Sequence, residues 1–479
     1  MSVQQPTSFE RGIPTHKPGE PQNSPTVLQV PGPKRDRVLP RTLLTYRRDP
    51  LGFLTRLART YGDIARFYFG PQQVWLLNHP DYVKDVLVTN NRKLKKGRIL
   101  ERAKQVLGEG LLTSEDPLHL RQRRLMQPAF KHDNIAAYAR LMVDYADNWQ
   151  QSWRHGETRD IHAEMMGLTL AVVAKALFGT DIQDKSGEIG DALNAIIDVF
   201  DFVMLPFSDI LQHLPLPQVR RIHKARQKLD RIVYRIIEEA RARAAGQTGS
   251  RIDLLSMLLA VQNEAAEDGD GSAGGMSDEQ LRDECVTLIL AGHETTAVTL
   301  SWTWYLLSQN RAAEAKLHAE LDSCLGSRLA TVEDLPRLTY TRRVLAESMR
   351  LYPPAWGVGR KTLEPYSIGG YTIPKGAIVL VSEWVMHRDA RFFPDPEVFD
   401  PDRWSPGARE TRSNFAYFPF GGGPRQCIGE DFAWMEGTLL LATIAQKWRL
   451  RLVPGHPVEP KPVITLRPKY GIKMSLERR

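Results

Sequence analysis

Phe420-Gly-Gly-Gly-Pro-Arg-Gln-Cys427-Ile-Gly429 is the stretch on which the reading of this chain turns. Glycines let the backbone pass close to a bulky ligand and adopt positive φ. The residues that follow, Glu430 to Trp448, place Phe432, Met435, Leu439, Leu440 and Ala442 at three-to-four spacing, which predicts a helix. Cys427 therefore falls on a tight loop just before a helix start, where the helix dipole and free N–H groups favour a thiolate.

A lone thiolate with no second Cys or His at zinc-like spacing cannot close a tetrahedral metal site. It can serve as the single axial ligand of a haem iron. A buried structural cysteine in a glycine-rich turn is the competing reading of Cys427 taken alone. The pattern Phe-x-x-Gly-x-Arg-x-Cys-x-Gly resembles the haem-ligand signature of the cytochrome P-450 family. That resemblance implies Cys427 as the metal ligand, Phe420 packed beside its sulfur, Arg425 on a haem propionate, and Gly429 within the cofactor loop. The implied cofactor is haem b (heme b, iron protoporphyrin IX).

The chain has 479 residues, 42% hydrophobic and 25% charged, which suits a large globular protein. Three cysteines form no disulfide framework and point to a reducing compartment. The formal charge of +8 allows nucleic acid, an anionic membrane or an acidic protein as partner. No nucleic-acid module is visible and the basic residues are scattered, so an acidic electron carrier fits best. No apolar run approaches the ~18 residues of a spanning helix, and the polar, Pro-rich start lacks a signal-peptide core. Val30-Pro-Gly-Pro-Lys34 resembles the hinge of membrane-anchored members of the family, but no anchor precedes it. The expectation is a soluble, cytoplasmic, monomeric protein of the bacterial type.

In chain order, residues 1–35 read as a flexible tail and 36–479 as one haem-binding domain. The expected fold class is mainly α with a small β subdomain. Pro50 to Thr60 predicts an amphipathic helix, and Ile64 to Asn78 a strand pair turned at Gly70-Pro71, the one β signal of the first half. Asn90 to Leu112 reads as irregular and basic. His119 and Arg123, spaced i, i+4, share a helix face and can clamp carboxylates. A basic pair at that spacing is otherwise a solvated surface; the resemblance implies that these two hold haem propionates. Residues 134–245 predict long helices, with Asp198 to Pro217 as either core or a lid over the substrate entrance. Gly269 to Gly275 reads as a surface loop.

Ser277-Asp-Glu-Gln280 is a capping-box start for a helix running to about Gln309. Its middle is Ala291-Gly-His-Glu-Thr-Thr296. Ala291 and Gly292 leave backbone without bulk for a flat ligand. Glu294 and Thr295 set an acid beside an alcohol in apolar surroundings, which is costly without partners. A threonine bonding back to a helix carbonyl and a glutamate in a structural pair would explain the two equally well. The resemblance implies instead the oxygen-activating helix, with Glu294 and Thr295 delivering protons.

Glu347 and Arg350, at i, i+3, can pair on a helix stopped by Pro353-Pro354. The resemblance joins Arg403 to them in a structural network bracing the cysteine loop. It also puts Arg360 on a propionate, and Leu288, Ala355, Trp356, Val358 and Ile464 in the substrate pocket. Tyr366 to Val381 predicts short strands turned at Gly369-Gly370 and Lys375-Gly376. No flavin, nucleotide or iron–sulfur motif appears.

The implied activity is insertion of one oxygen atom of O2 into a hydrophobic molecule such as a fatty acid or terpenoid. Electrons would come from a ferredoxin or flavodoxin and its NAD(P)H reductase. Two alternatives stay open here: a peroxide-using haem-thiolate hydroxylase, and a non-catalytic haem-based binding or sensor protein.

Overall fold

The computed structural model describes residues 30–35, 41–181, 190, 216–246, 253–267, 275–409 and 412–479. Nearly all of the expected lid segment and of the N-terminal tail, and most of the Gly269–Gly275 loop, lie outside these residues.

The helix Asp278–Gln309 is the axis of the molecule. Ser277 and Gln280 close the expected capping box, with Ser277 Oγ accepting from Gln280 N–H at 3.2 Å and Gln280 Oε1 from Ser277 N–H at 3.1 Å. Asp278 and Glu279 complement the positive end of its dipole. Rising 1.5 Å per residue, it runs ~48 Å, and it is buried on nearly every side.

Against it packs Ile161–Phe178, capped by Asp160 and ended by Gly179 at φ 63°. This helix is long and apolar enough to cross a membrane by composition, contrary to the sequence expectation, because His162, Glu164 and Lys175 interrupt its apolar run without destroying it. It is a core helix, with Leu168, Val172 and Val173 fully buried against the central one. Gly292 explains the close approach: a Cβ there would stand 3.0 Å from Val173 Cγ2. The helices His132–Trp149, Thr339–Leu351 and Glu430–Ala445 complete this core.

The β part is small. One five-stranded sheet runs Ile64–Phe69, Gln72–Leu77, Ile378–Val381, Val358–Thr362, Leu94–Lys96 in spatial order. Val74 to Leu77 pair in parallel with Ile378 to Val381, so segments far apart in the chain meet in it. The hairpin Tyr366–Ile368/Tyr371–Ile373 turns at Gly369 and Gly370, both at positive φ, as the glycine pair predicts. Strands Thr158–Asp160, Lys473–Arg478 and Trp448–Leu452 form a third sheet.

Four expectations are corrected here. The last long helix stops at Ala445, and Trp448 opens a strand. Leu94–Lys96 and Thr158–Asp160 are further strands of the first half, too short to show alternation. The stretch expected to be irregular holds a helix, Arg98–Leu107, whose Ala103, Val106 and Leu107 are buried. Its basic first turns hid that apolar stripe. The missing fourth is the apolar run already described.

Candidate functional site

A cavity of about 1580 Å³ lies between the central helix and the cysteine loop. That exceeds the ~300–1,000 Å³ usual for one small-molecule site and has room for a large prosthetic group and a substrate together. Cys427, Phe420 and Gly429 line it, as do Ala291, Gly292 and Thr295.

The cysteine loop is built by backbone bonds. Cys427 N–H donates to Phe420 C=O at 3.0 Å, and Gln426 N–H to Gly423 C=O at 3.0 Å. Gly423 sits at φ 69°, and a Cβ on it would lie 2.2 Å from Leu87 O, so no other residue fits. Gly429 N–H bonds to the Cys427 sulfur. The thiol is nevertheless pushed up to about 11, by burial first, against the pull of Gly429 N–H and Arg123. The side chain itself is open to the cavity. A cation at the sulfur is what would deprotonate it. Phe420 stands 5.7 Å from Trp434 between ring centroids, and exposed Arg342 lies over Trp434 at 4.7 Å.

Five basic side chains converge on one flank of the cavity: Lys96, His119, Arg123, Arg360 and Arg425. Lys96 was not foreseen; nothing in a basic stretch singles out the one lysine that is buried. Its Nζ donates to the carbonyls of Leu111 at 2.9 Å and Ser114 at 2.6 Å. Burial and Arg425 depress it to about 7. Burial, then Lys96 and Arg425, depress His119 to about 4, although Asp116 Oδ1 lies 3.3 Å from its Nδ1. Burial, then Arg425, takes Arg360 down to about 10. Arg123 Nη1 donates to Gln426 C=O at 2.7 Å. Glu115, also unforeseen, bonds Arg425 and accepts from Lys96 N–H at 2.6 Å. Arg425 Nη1 is buried without a hydrogen-bond partner among the described residues. These basic side chains outnumber the carboxylates beside them, Glu115 and Asp116, and the two propionates of haem fit that excess.

The acid–alcohol pair divides. Thr295 lines the cavity, and its hydroxyl donates to Ala291 C=O at 2.8 Å. Glu294 is buried and contributes nothing to the cavity wall. Its Oε1 accepts from Arg467 Nε at 2.8 Å and from the Thr465 hydroxyl. These are the partners that a buried carboxylate requires, and both come from the far end of the chain. His293 faces the other way, with Nδ1 2.6 Å from Ile289 O.

Leu288, Ala355, Trp356, Val358 and Ile464 all line the cavity. Trp356 Nε1 donates to Val463 C=O at 3.0 Å. Glu347, Arg350 and Arg403 stand together away from it. Arg350 reaches both Glu347 oxygens, at 2.9 and 2.8 Å, and Arg403 Nε lies 3.3 Å from Oε1. Trp404 Nε1 adds a bond of 2.9 Å. Arg350 also holds His387 C=O at 2.9 Å, and His387 Nε2 accepts from Phe418 N–H at 3.0 Å, two residues before the cysteine loop opens.

Comparison with known proteins gives the same reading. The family model Cytochrome P-450 matches residues 31–476. The chain is 41% identical over 424 residues to cyclooctatin synthase of Streptomyces melanosporofaciens, covering 88% of this chain and 90% of that one. It is 39% identical to cyclooctat-9-en-7-ol 5-monooxygenase of the same organism, covering 93% and 95%. Pentalenene oxygenase of Streptomyces avermitilis is 34% identical, with 90% and 94% covered. The crystal structure of the cytochrome P-450DA haem domain superposes with a TM-score of 0.81 at 25% identity, covering 95% of this chain and 98% of that one. A loop cysteine facing a cavity, a cationic flank suited to haem, and these relatives lead to one conclusion: the chain belongs to the cytochrome P-450 family and is a haem-dependent monooxygenase.

Proposed function

We propose that this monooxygenase hydroxylates or epoxidises a terpenoid, within a single haem-binding domain spanning residues 36–479. The relatives' names support the substrate class: two end in oxygenase chemistry on cyclooctat-9-en-7-ol and pentalenene. The observation that carries the reading is that Cys427, Thr295 and the apolar residues Leu288, Val358 and Ile464 share one cavity. Cys427 would hold the iron, and Lys96, His119, Arg123, Arg360 and Arg425 would hold the propionates. Bound there, haem supplies oxygen activation and the oxidising power for the C–H or C=C bond.

The protein's part is to orient, exclude water and move protons. Leu288, Ala355, Trp356, Val358 and Ile464 present an apolar wall that positions a hydrocarbon body. The Thr295 hydroxyl already donates to Ala291 C=O, so its lone pairs remain to accept from a water in the cavity. Glu294, once released from Thr465 and Arg467, would take a proton from bulk water and hand it to that cavity water, returning to the carboxylate. An acidic ferredoxin or flavodoxin docks where Arg342 stacks on Trp434, close to Phe420 and the cysteine loop. The reading takes the protein as a cytoplasmic monomer; its most apolar helix, Ile161–Phe178, is two-thirds buried in the core and so does not argue for a membrane span.

Turnover of a panel of terpene hydrocarbons and alcohols with added ferredoxin and reductase tests this reading. Mass-spectrometric gain of one oxygen atom from labelled O2 supports it; label from water or no gain on any of the panel contradicts it. One observation favours a second reading, peroxide-driven hydroxylation: the acid Glu294 is held outside the cavity. Product from peroxide alone, at rates matching the electron-fed reaction, would favour that alternative.

A further inference from the structure

The rim of the cavity and the grip on Glu294 belong to one short hairpin. Strand Pro460–Pro462 pairs antiparallel with Leu466–Pro468. The turn between them is closed by Val463 N–H donating to Thr465 C=O at 3.1 Å. Val463 and Ile464 line the cavity. The very next residue, Thr465, donates its hydroxyl to Glu294 Oε1, and Arg467 donates to the same oxygen at 2.8 Å.

Between the two donors the hairpin is pinned. Leu466 N–H donates to Pro354 C=O at 3.0 Å, and Leu466 C=O accepts from Trp302 Nε1 of the central helix at 2.7 Å. Trp356, itself in the cavity wall, is tied to Val463 C=O. Leu466 is thus held at both its backbone groups, with Thr465 on the turn side of it, next to cavity-lining Ile464, and Arg467 on the other.

We propose that residues 460–468 form a substrate-sensed latch, in which contact at Ile464 loosens the hold of Thr465 and Arg467 on Glu294 and frees that carboxylate to serve the Thr295 side. This rests on the proton-relay reading above and adds the control that it lacks. Thr465 and Arg467 are positioning residues, acting through Glu294. A ligand can shift such an equilibrium only by interacting differently with the two states. Ile464 supplies that difference, because its side chain is in the wall that the ligand touches.

Infrared difference spectra of the ferric holoenzyme test the latch without turnover. The probe is dodecylimidazole, whose ring ligates the haem iron and whose tail fills an apolar cavity. Adding it to the wild type should change a carboxylate band that is absent from Glu294→Gln. Arg467→Gln should show the released band without any probe, and Arg467→Lys should restore the parked one. Thr465→Val gives the same test should Arg467→Gln fail to retain haem. Ile464→Ala, compared at probe concentrations that saturate the haem absorbance shift, should lose most of the band change.

A probe that shifts the haem band and leaves every Glu294-dependent band unmoved overturns the latch. So does an Ile464→Ala protein with a full wild-type response. The relay itself fails by a different result: Glu294→Gln retaining wild-type coupling of reductant to product.

Discussion

Arg467 Nε donates to Glu294 Oε1 at 2.8 Å, joining a strand near the C-terminus to the middle of the central helix. The residue beside that acid, Thr295, faces the cavity. The alcohol is thus in place while the acid is held back, and the two are separable by mutation. Removing the Thr295 hydroxyl leaves haem, substrate wall and acid intact. Thr295→Ala should consume reductant while releasing hydrogen peroxide, with product falling by ~10²–10⁴-fold, the usual reach of general acid–base catalysis. Paired assays of reductant, peroxide and product check this. Wild-type coupling would make Thr295 a helix-stabilising residue only.

Glu347 and Arg350 are fully buried, and Glu347 carries bonds from Arg350, Arg403 and Trp404. Breaking a buried pair from one side costs about 3–5 kcal/mol, because the other charge stays uncompensated. Glu347→Gln should lower the denaturation midpoint accordingly. Through Arg350, His387 and Phe418 it should also loosen the cysteine loop, so haem loss should speed up in parallel. Chemical denaturation followed at the haem band measures both.

What the sequence showed and what it hid divide along physical lines. The cysteine loop, the capped central helix and the Glu347–Arg350 pair were legible because each is local: glycines, a capping box, an i, i+3 spacing. The fold class followed from the same signals. The latch was not legible, since Thr465 and Arg467 reach Glu294 from 171 and 173 residues away. Nor was Gly292's service to Val173, which depends on a neighbouring helix.

Glu436 is fully buried beside Thr296, and burial pushes it up to about 8 from 4.5. A carboxyl raised in the folded state gives stability that is present below pH ~4.5 and lost as pH rises through its folded value. Between about pH 4.5 and 8 that loss is ~1.4 kcal/mol per pH unit for one proton. Glu436→Gln should therefore flatten the decline across this window, gaining on the wild type as pH rises. Denaturation midpoints at a series of pH values decide it; parallel curves for the two proteins would contradict the assignment.

With a formal charge of +8, and Arg342 stacked on Trp434 near the cysteine loop, reduction by an acidic carrier should be salt-sensitive. Exposed charges are screened within ~8 Å at physiological ionic strength. Stopped-flow reduction of the haem should slow steeply with added salt, and Arg342→Glu should slow it at low salt without changing substrate binding. Salt-independent rates would point to an apolar docking surface instead.

The central claim is that Cys427 binds the haem iron through its sulfur. The absorbance spectrum of the reduced, carbon monoxide-bound protein tests it most directly. The wild type should show the long-wavelength band characteristic of thiolate ligation, and Cys427→Ala should lose it, either by failing to retain haem or by shifting to the shorter-wavelength band of nitrogen ligation. A Cys427→Ala protein that keeps the long-wavelength band would contradict the account.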